Sequence, residues 1–179
     1  MPHIVANIIS LRQHIFKMQN NPKGYLPPRC LHCCQRNLWF HGAYFRKSDR
    51  SATKKETFNP VPIQRFYCPS CRRTCSSLPE AIPPRRWYLW DVQQIVILLY
   101  FSGVSIRKIA QQALPSRQTV TRWINRFTQL FRKHKNVLSD HDPWLGRTVD
   151  IKNFWGACCQ KMTLAQAMRV CHIAGIIIP

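Results

Sequence analysis

The sequence predicts a small α+β protein in which a four-cysteine zinc ribbon is followed by an α-helical helix-turn-helix domain. Three observations carry this prediction. Two C-x-x-C turns, at residues 30–33 and 68–71, flank an aromatic stretch, and three helical patterns follow from about residue 87. The third observation is charge: 27 Lys and Arg stand against 7 Asp and Glu, a formal net charge of +20. Such an excess favours a polyanionic partner, and nucleic acid is the usual one.

The cysteine pattern predicts the metal and its ligands. Two C-x-x-C pairs can bring four thiolates together in a tetrahedron, the closed geometry of structural zinc sites. We therefore predict one structural Zn²⁺ held by Cys30, Cys33, Cys68 and Cys71. Free thiols or disulfides are the alternative. An odd number of cysteines, nine in all, and the lack of a secretory pattern at the N-terminus disfavour a disulfide framework.

The segment before the ribbon, residues 1–24, is predicted to contain a helix over residues 4–19. Its apolar residues are spaced by four and three in turn, a heptad-like pattern, at Ile4, Ile8, Leu11, Ile15 and Met18. Two heptads are too short to hold a coiled coil. Packing on its own domain is therefore favoured over self-association.

The ribbon is predicted over residues 25–77. Residues 38–45 and 62–67 have strand composition, and the polar, basic residues 46–60 are predicted to form a long hairpin loop between them. So small a core needs the metal as a cross-link. Residues 78–86 contain three prolines and are predicted to be an extended linker.

Three helices are predicted within residues 87–136. An apolar face on the first is formed by Val92, Ile95, Val96, Leu99 and Tyr100. Ser105 and Ser116 are predicted N-caps of the second and third helices. A short second helix, a tight turn and a longer third helix are typical of a helix-turn-helix, and the charge favours it over a three-helix bundle that does not bind DNA.

The third helix is predicted to run from Arg117 to about His134 and to bury an apolar stripe formed by Val120, Trp123, Ile124 and Phe127. The opposite face carries residue types that read base edges in the major groove, which predicts base contacts by Gln118, Thr121, Arg122 and Asn125. Basic side chains elsewhere are predicted to contact phosphates, namely Arg46, Lys47, Arg50, Arg72, Arg73, Arg85, Arg86, Arg117 and Arg126.

The remaining segment, residues 137–179, is predicted to contain one helix, capped by Thr163 and ended at Gly175. A second zinc site could use the cysteines of this segment and a histidine, namely Cys158, Cys159, Cys171 and His172. Adjacent cysteines rarely bind one zinc ion together, because their side chains diverge. Small buried hydrophobes are the favoured interpretation for these thiols.

The chain from Cys30 to about Phe131 resembles the N-terminal region of bacterial insertion-sequence proteins of the transposase type. The resemblance rests on the paired knuckles, on His41-Gly42-x-Tyr44-x-Arg46 between them, on Arg65-Phe66-x-Cys68-Pro69-x-Cys71-x-x-Thr74, and on the helices that follow. It implies binding to the terminal DNA of a mobile element. Cys34 stands where a glycine is common and Cys75 where an aromatic is common, so either thiol could replace one of the four ligands.

No catalytic residues are predicted, and we expect the chain not to be an enzyme. Transposases of this kind continue into a nuclease domain with three acidic ligands, whereas Asp140, Asp142 and Asp150 lie within eleven residues near turns. The expected partner is double-stranded DNA, with a transposase or a second copy of the chain as a further partner, and no membrane. We expect a cytoplasmic, nucleoid-associated protein of a mobile element, acting as an accessory subunit, a regulator or an inactive remnant. The alternatives are the recognition part of a split transposase and an RNA-binding zinc-ribbon protein.

Overall fold

The structure is a computed structural model that describes residues 2–47, 59–84 and 88–176. Two compact units divide the chain, Met1–Leu89 and Trp90–Pro179. A four-stranded sheet forms the centre of the first unit, and the described part of the second is helical. The chain is therefore a small α+β protein, as predicted.

The first unit is built around a sheet with the strand order β1-β4-β3-β2. Its elements are β1 His3–Val5, α1 Leu11–Asn20, a 3₁₀ turn Pro22–Tyr25, β2 Trp39–Arg46, β3 Val61–Cys68 and β4 Arg73–Pro79. Strands β2, β3 and β4 pair antiparallel, and β1 pairs parallel to β4. The two strands predicted from composition correspond to β2 and β3. Most of the predicted hairpin loop between them lies outside the described residues.

The N-terminal helix begins later than predicted. Residues 3–5 form β1, and the helix begins at Leu11 after an N-cap in which the Ser10 hydroxyl accepts from the Gln13 amide. Asn7 has a positive φ of 61°, which separates the strand from the helix. The reason is tertiary: the exposed backbone of β4 takes His3–Val5 as a partner, and this pairing outweighs the local heptad-like pattern.

The prediction of an extended linker over residues 78–86 is partly wrong, because its first residues belong to the sheet and to a core cluster. Leu78 and Pro79 end β4, and Ile82 is fully buried beside Val61 and Ile63. The third ribbon strand, β4, was not predicted, since Thr74–Ser77 has no apolar alternation. The rest of the linker prediction, including Arg85 and Arg86, lies outside the described residues.

A second core cluster joins the N-terminal segment to the cysteine knuckles. It contains the apolar residues Val5, Ile8, Tyr25, Cys30, Leu38, Phe66, Cys68 and Cys75. The N-terminal segment, residues 1–24, therefore shares a core with the cysteine knuckles. Val5 and Ile8 of this segment lie in the cluster with Cys30 and Cys68.

The second unit is helical throughout its described part. Its helices are α2 Trp90–Phe101, α3 Ile106–Gln112, α4 Arg117–Gln129, α5 Phe131–His141, α6 Pro143–Gly146, α7 Ile151–Lys161 and α8 Leu164–Ile173. Ser105 and Ser116 cap α3 and α4 as predicted, with hydroxyls that accept from the amides of Lys108 and Thr119. A four-residue connection, 113–116, joins α3 to α4, and α2 packs against both.

The predicted third helix is two helices. Helix α4 ends at Gln129, and α5 begins at Phe131 after Leu130, whose ψ is 2°. The bend brings His134 into an aromatic cluster with Phe127 and Trp155, at ring-centroid separations of 5.1–6.0 Å. No glycine or proline marks this break, so the bend follows from packing on α7 rather than from a local signal.

The C-terminal segment shares its core with the three predicted helices. Trp90, Ile97 and Phe127 are buried in one cluster with Phe154 and Met168. Helix α8 has the predicted Thr163 cap and stops before Gly175, whose φ is 75°. Helices α6 and α7 were not predicted. On α2 the buried residues are Trp90, Gln93, Val96 and Ile97, whereas the predicted core residue Ile95 is 54% exposed.

Candidate metal centre and exposed face of α4

Each C-x-x-C sequence forms a turn that is followed by a residue with a positive φ. In the first, the Cys34 amide donates to the Cys30 carbonyl (2.9 Å), and Cys34 has a φ of 60°. In the second, the residue after Cys71 is Arg72, with a φ of 56°. Both turns therefore end in the left-handed region, which glycine adopts without strain. Glycine would therefore fit the position of Cys34 without this strain.

The two turns place the four predicted cysteines together. The Sγ atoms of Cys30 and Cys71 are 3.7 Å apart, and those of Cys33 and Cys68 are 3.6 Å apart. All four Sγ atoms lie within 4.8 Å of one another. Cys30 and Cys68 are buried, and the other two are half-buried. This cluster can hold a metal ion, as the sequence predicted for these four residues.

The thiols of the cluster differ in pKa. The pKa of Cys68 is lowered to about 6, first because the Cys71 amide donates to its sulfur and then because the neighbouring thiols donate to it. The largest single effect on Cys33 is the Gln35 amide bond, which lowers its pKa, but desolvation and the bonds to the other three thiols together outweigh it and raise the pKa of Cys33 to about 12. Four sulfurs this close cannot all ionise without a cation to neutralise them. A bound metal would supply that charge.

Neither of the two neighbouring thiols belongs to the cluster. Cys34 is exposed, and Cys75 is buried on β4 opposite Phe66. Burial raises the pKa of Cys75, and the nearby charges of Cys30, Cys68 and Cys71 raise it further. Among the described residues, the geometry selects the predicted four ligands over the alternatives that the sequence had left open.

The predicted base-reading face of α4 is largely exposed. Gln118, Arg122 and Asn125 are exposed, opposite the stripe formed by Val120, Trp123, Ile124 and Phe127, which is buried as predicted. Thr121 is half-buried, and its hydroxyl donates to the Arg117 carbonyl at 3.0 Å. The hydroxyl oxygen of Thr121 can still accept a bond, but its proton is used within the helix.

The predicted phosphate contacts fall into three groups. Lys47, Arg72, Arg73 and Arg117 are exposed. Arg46 and Arg126 are half-buried, and desolvation lowers the pKa of Arg46. The others, Arg50, Arg85 and Arg86, lie outside the described residues. The structure thus leaves at least four of the predicted basic side chains free to reach solvent.

The C-terminal cysteines do not form a second metal cluster within the described residues. Burial raises the pKa of Cys158 and Cys171 to about 12 and that of Cys159 to about 11. The thiols are therefore protonated near neutrality and pack as small apolar groups. This agrees with the favoured interpretation of the sequence.

Two of the three clustered carboxylates have structural partners. Asp142 caps α6 through the Trp144 amide and pairs with Lys161 Nζ at 2.7 Å, and this bond lowers its pKa. Asp150 caps α7 by accepting from the amide of Asn153 at 2.8 Å. Both carboxylates therefore accept hydrogen bonds from backbone amides at the start of a helix. No helix in the described ranges is long and apolar enough to cross a membrane.

The fold and the cluster together define a small α+β protein with a four-cysteine site that can hold a metal ion. Residues 30–123 match a protein family described as a domain of unknown function, DUF6431, and the chain belongs to this family. The match covers both knuckles and the first half of α4. No curated protein and no solved structure matches the chain.

Proposed function

We propose that this chain is a DNA-binding protein in which a structural zinc ion holds the sheet-containing unit and a helix-turn-helix reads duplex DNA. The observation that carries the proposal is the exposed face of α4, where Gln118, Arg122 and Asn125 stand opposite a buried stripe. A helix with one buried apolar face and one exposed polar face can pack on its own domain and present the polar side chains to the major groove of DNA.

The arrangement of α2, α3 and α4 supports the helix-turn-helix. A seven-residue α3 and a thirteen-residue α4 are joined by four residues, with a serine cap at the start of each. On α4, the side chains of Gln118, Arg122 and Asn125 match the donor and acceptor pattern of guanine and adenine edges. No acidic residue occurs between Asp91 and Asp140, so this surface does not repel phosphate.

The sulfur geometry supports zinc as the metal. A tetrahedral site with Zn–S bonds of about 2.3 Å has sulfur atoms about 3.8 Å apart. The separations of 3.7 Å and 3.6 Å are close to this value. Four thiolates leave no open position, so the ion would stabilise the fold and would not bind substrate.

The order of cysteine knuckles followed by these helices resembles the DNA-recognition part of insertion-sequence proteins. We therefore infer an origin in a mobile element, with the chain acting through DNA binding and not as a nuclease. The capping roles of Asp142 and Asp150 support the second point, because a two-metal site needs carboxylates free to bind cations.

The direct test is binding of the metal-loaded full chain to fluorescent duplex DNA. We expect binding that weakens by about three orders of magnitude between low and moderate salt if roughly 6–10 phosphates are contacted. A variant with Gln118→Ala, Arg122→Ala and Asn125→Ala should lose discrimination between duplexes. Arg132→Ala is the matched control, since Arg132 is exposed on α5 and outside this face. The proposal would be overturned if the triple variant discriminated between duplexes as well as the Arg132→Ala control does. An affinity that does not change with salt concentration would also overturn it.

A further inference from the structure

Strand β2 at the edge of the sheet has an unusual surface. Trp39 is 57% exposed, Phe40 46%, Tyr44 36% and Phe45 68%. Four of the eight residues of this strand are exposed aromatic side chains. By their register with β3 they divide between the two faces of the sheet, with Trp39 and Tyr44 on one face and Phe40 and Phe45 on the other. Clusters of exposed apolar side chains mark interaction sites. Neither the metal cluster nor the face of α4 uses these side chains.

A bulge in β2 arranges the first of these residues. Phe40 pairs with Phe66 and Ala43 with Gln64, so His41 and Gly42 together stand opposite Arg65. Gly42 has a φ of 68°, and its carbonyl accepts from the buried Gln64 side chain at 2.7 Å. A bulge of this kind redirects side chains locally. Here it brings His41 beside Tyr67, with ring centroids 5.8 Å apart.

The result is an aromatic platform formed by Trp39, His41 and Tyr67. Trp39 pairs directly with Tyr67 across the two strands, and their ring centroids are 6.5 Å apart. Arg65 is two residues before Tyr67 and therefore lies on the same face of the sheet. Its guanidinium donates to the hydroxyl of Thr74 at 3.2 Å, and Thr74 is the residue of β4 that pairs with Tyr67.

The charge of the first unit indicates the occupant of the platform. Among the described residues of the first unit, the only carboxylate is Glu80, which is 2% exposed and accepts from the Asn7 amide. The same residues include ten basic side chains, namely Arg12, Lys17, Lys23, Arg29, Arg36, Arg46, Lys47, Arg65, Arg72 and Arg73. In the described part of this unit, exposed rings are thus combined with positive charge and without an exposed carboxylate, which is complementary to a polyanion with flat, apolar groups.

We propose that the Trp39–His41–Tyr67 platform binds single-stranded DNA by stacking on unpaired bases, with Arg65 and neighbouring basic residues on the phosphates. This inference rests on the proposed DNA-binding function and adds a second site to it. Unpaired bases are specified because the faces of bases are covered by their neighbours inside a duplex. Base–aromatic stacking is tolerant of sequence, so the platform would hold a strand without reading it.

The test measures binding of the full, metal-loaded chain to a short fluorescent oligothymidine and to a duplex. Trp39→Ala should weaken oligothymidine binding by about 5- to 150-fold, the loss expected for one stacked base. Trp39→Phe should retain most of the affinity, since it keeps a ring. Phe45→Ala is the matched control, because Phe45 is on the same strand and is more exposed than Trp39. Phe45 pairs with Pro62, which is five residues from Tyr67 on β3, so Phe45 lies on the opposite face of the sheet. This variant should bind oligothymidine like the unmodified chain.

The outcomes separate the two proposals. If the duplex is bound but Trp39→Ala and Tyr67→Ala leave oligothymidine affinity unchanged, the platform inference is wrong and the proposed function stands. If the unmodified chain binds no duplex, the proposed function fails independently of the platform. Tighter binding of oligouridine than of oligothymidine, or equal losses in Phe45→Ala and Trp39→Ala, would also overturn the platform inference.

Discussion

The Tyr25 hydroxyl lies 2.5 Å from Nδ1 of His14, and both side chains are fully buried. Nε2 of the same imidazole lies 2.7 Å from the Pro62 carbonyl, which can only accept a hydrogen bond. Nε2 therefore carries the proton, and Nδ1 accepts from the Tyr25 hydroxyl. These bonds connect α1 to β3 and hold the N-terminal segment on the sheet beside the cysteine cluster.

This buried histidine predicts a pH-dependent stability. Burial lowers the pKa of His14 below its ordinary value of 6.5, with the Pro62 bond opposing the effect. The unfolded chain therefore binds a proton more readily than the folded chain. The stabilisation is fully present above about pH 6.5 and is lost as pH falls from there through the folded pKa. Urea unfolding between pH 5 and 8 should show this loss, and the loss should shrink in His14→Gln. Equal pH slopes in both chains would contradict it.

Replacing a cluster cysteine should release the metal. We expect Cys68→Ser to lose about one equivalent of metal and to unfold the sheet-containing unit, because that small core depends on the cross-link. The helical unit has its own core and should stay folded. Metal analysis and circular dichroism measure the two effects. Cys75→Ser is the matched control, a nearby buried thiol outside the cluster, and metal loss there instead would show that the ligand set is wrong.

Replacing Cys34 should have the opposite effect on stability. Cys34 has a φ of 60°, which costs about 1 kcal/mol or more for a residue with a Cβ. Glycine removes this strain but adds entropy to the unfolded chain. We therefore expect Cys34→Gly to keep the metal and to raise the free energy of unfolding by up to about 1 kcal/mol. Chemical denaturation measures the stability, and metal analysis measures the bound metal. A lower free energy of unfolding, or a loss of metal, would argue that Cys34 has another role.

The local features of the fold could be predicted from the sequence. The spacing of Cys30, Cys33, Cys68 and Cys71 specified the cluster, and Ser105, Ser116 and Thr163 marked helix starts through bonds to amides three residues away. The stripe on α4 was specified by its own periodicity. The helix caps and the stripe are specified by residues close together in the sequence. The cysteine spacing is not local, but paired C-x-x-C sequences are typical of metal sites.

The features missed depend on contacts distant in sequence. Strand β1 exists because β4 lies beside it, more than seventy residues later in the chain. The bend at Leu130 follows from packing of His134 and Phe127 on Trp155, with no turn residue in between. The platform was also missed, since only the bulge at Gly42 and the pairing with Tyr67 show that the aromatic residues of β2 divide between two faces.

Two arginines of α4 should differ in what their removal changes. Arg126 is half-buried in the last turn, away from the exposed N-terminal half, and is predicted to contact phosphate. Arg126→Ala should weaken binding evenly across duplex sequences and reduce the slope of log affinity against log salt by about one unit. Titration of two unrelated duplexes at several salt concentrations measures this. A loss confined to one of the duplexes would indicate a base contact instead.

Arg122 provides the most direct test of DNA reading by α4. Selection from a random duplex library with the metal-loaded full chain should enrich a common sequence. The same selection with Arg122→Ala, at unchanged metal content and helix content, should lose preference at one guanine, at a cost of about 1–3 kcal/mol in binding. Identical enriched sequences and affinities for the two chains, or no enrichment by the unmodified chain, would contradict the assignment of α4 as the reading helix.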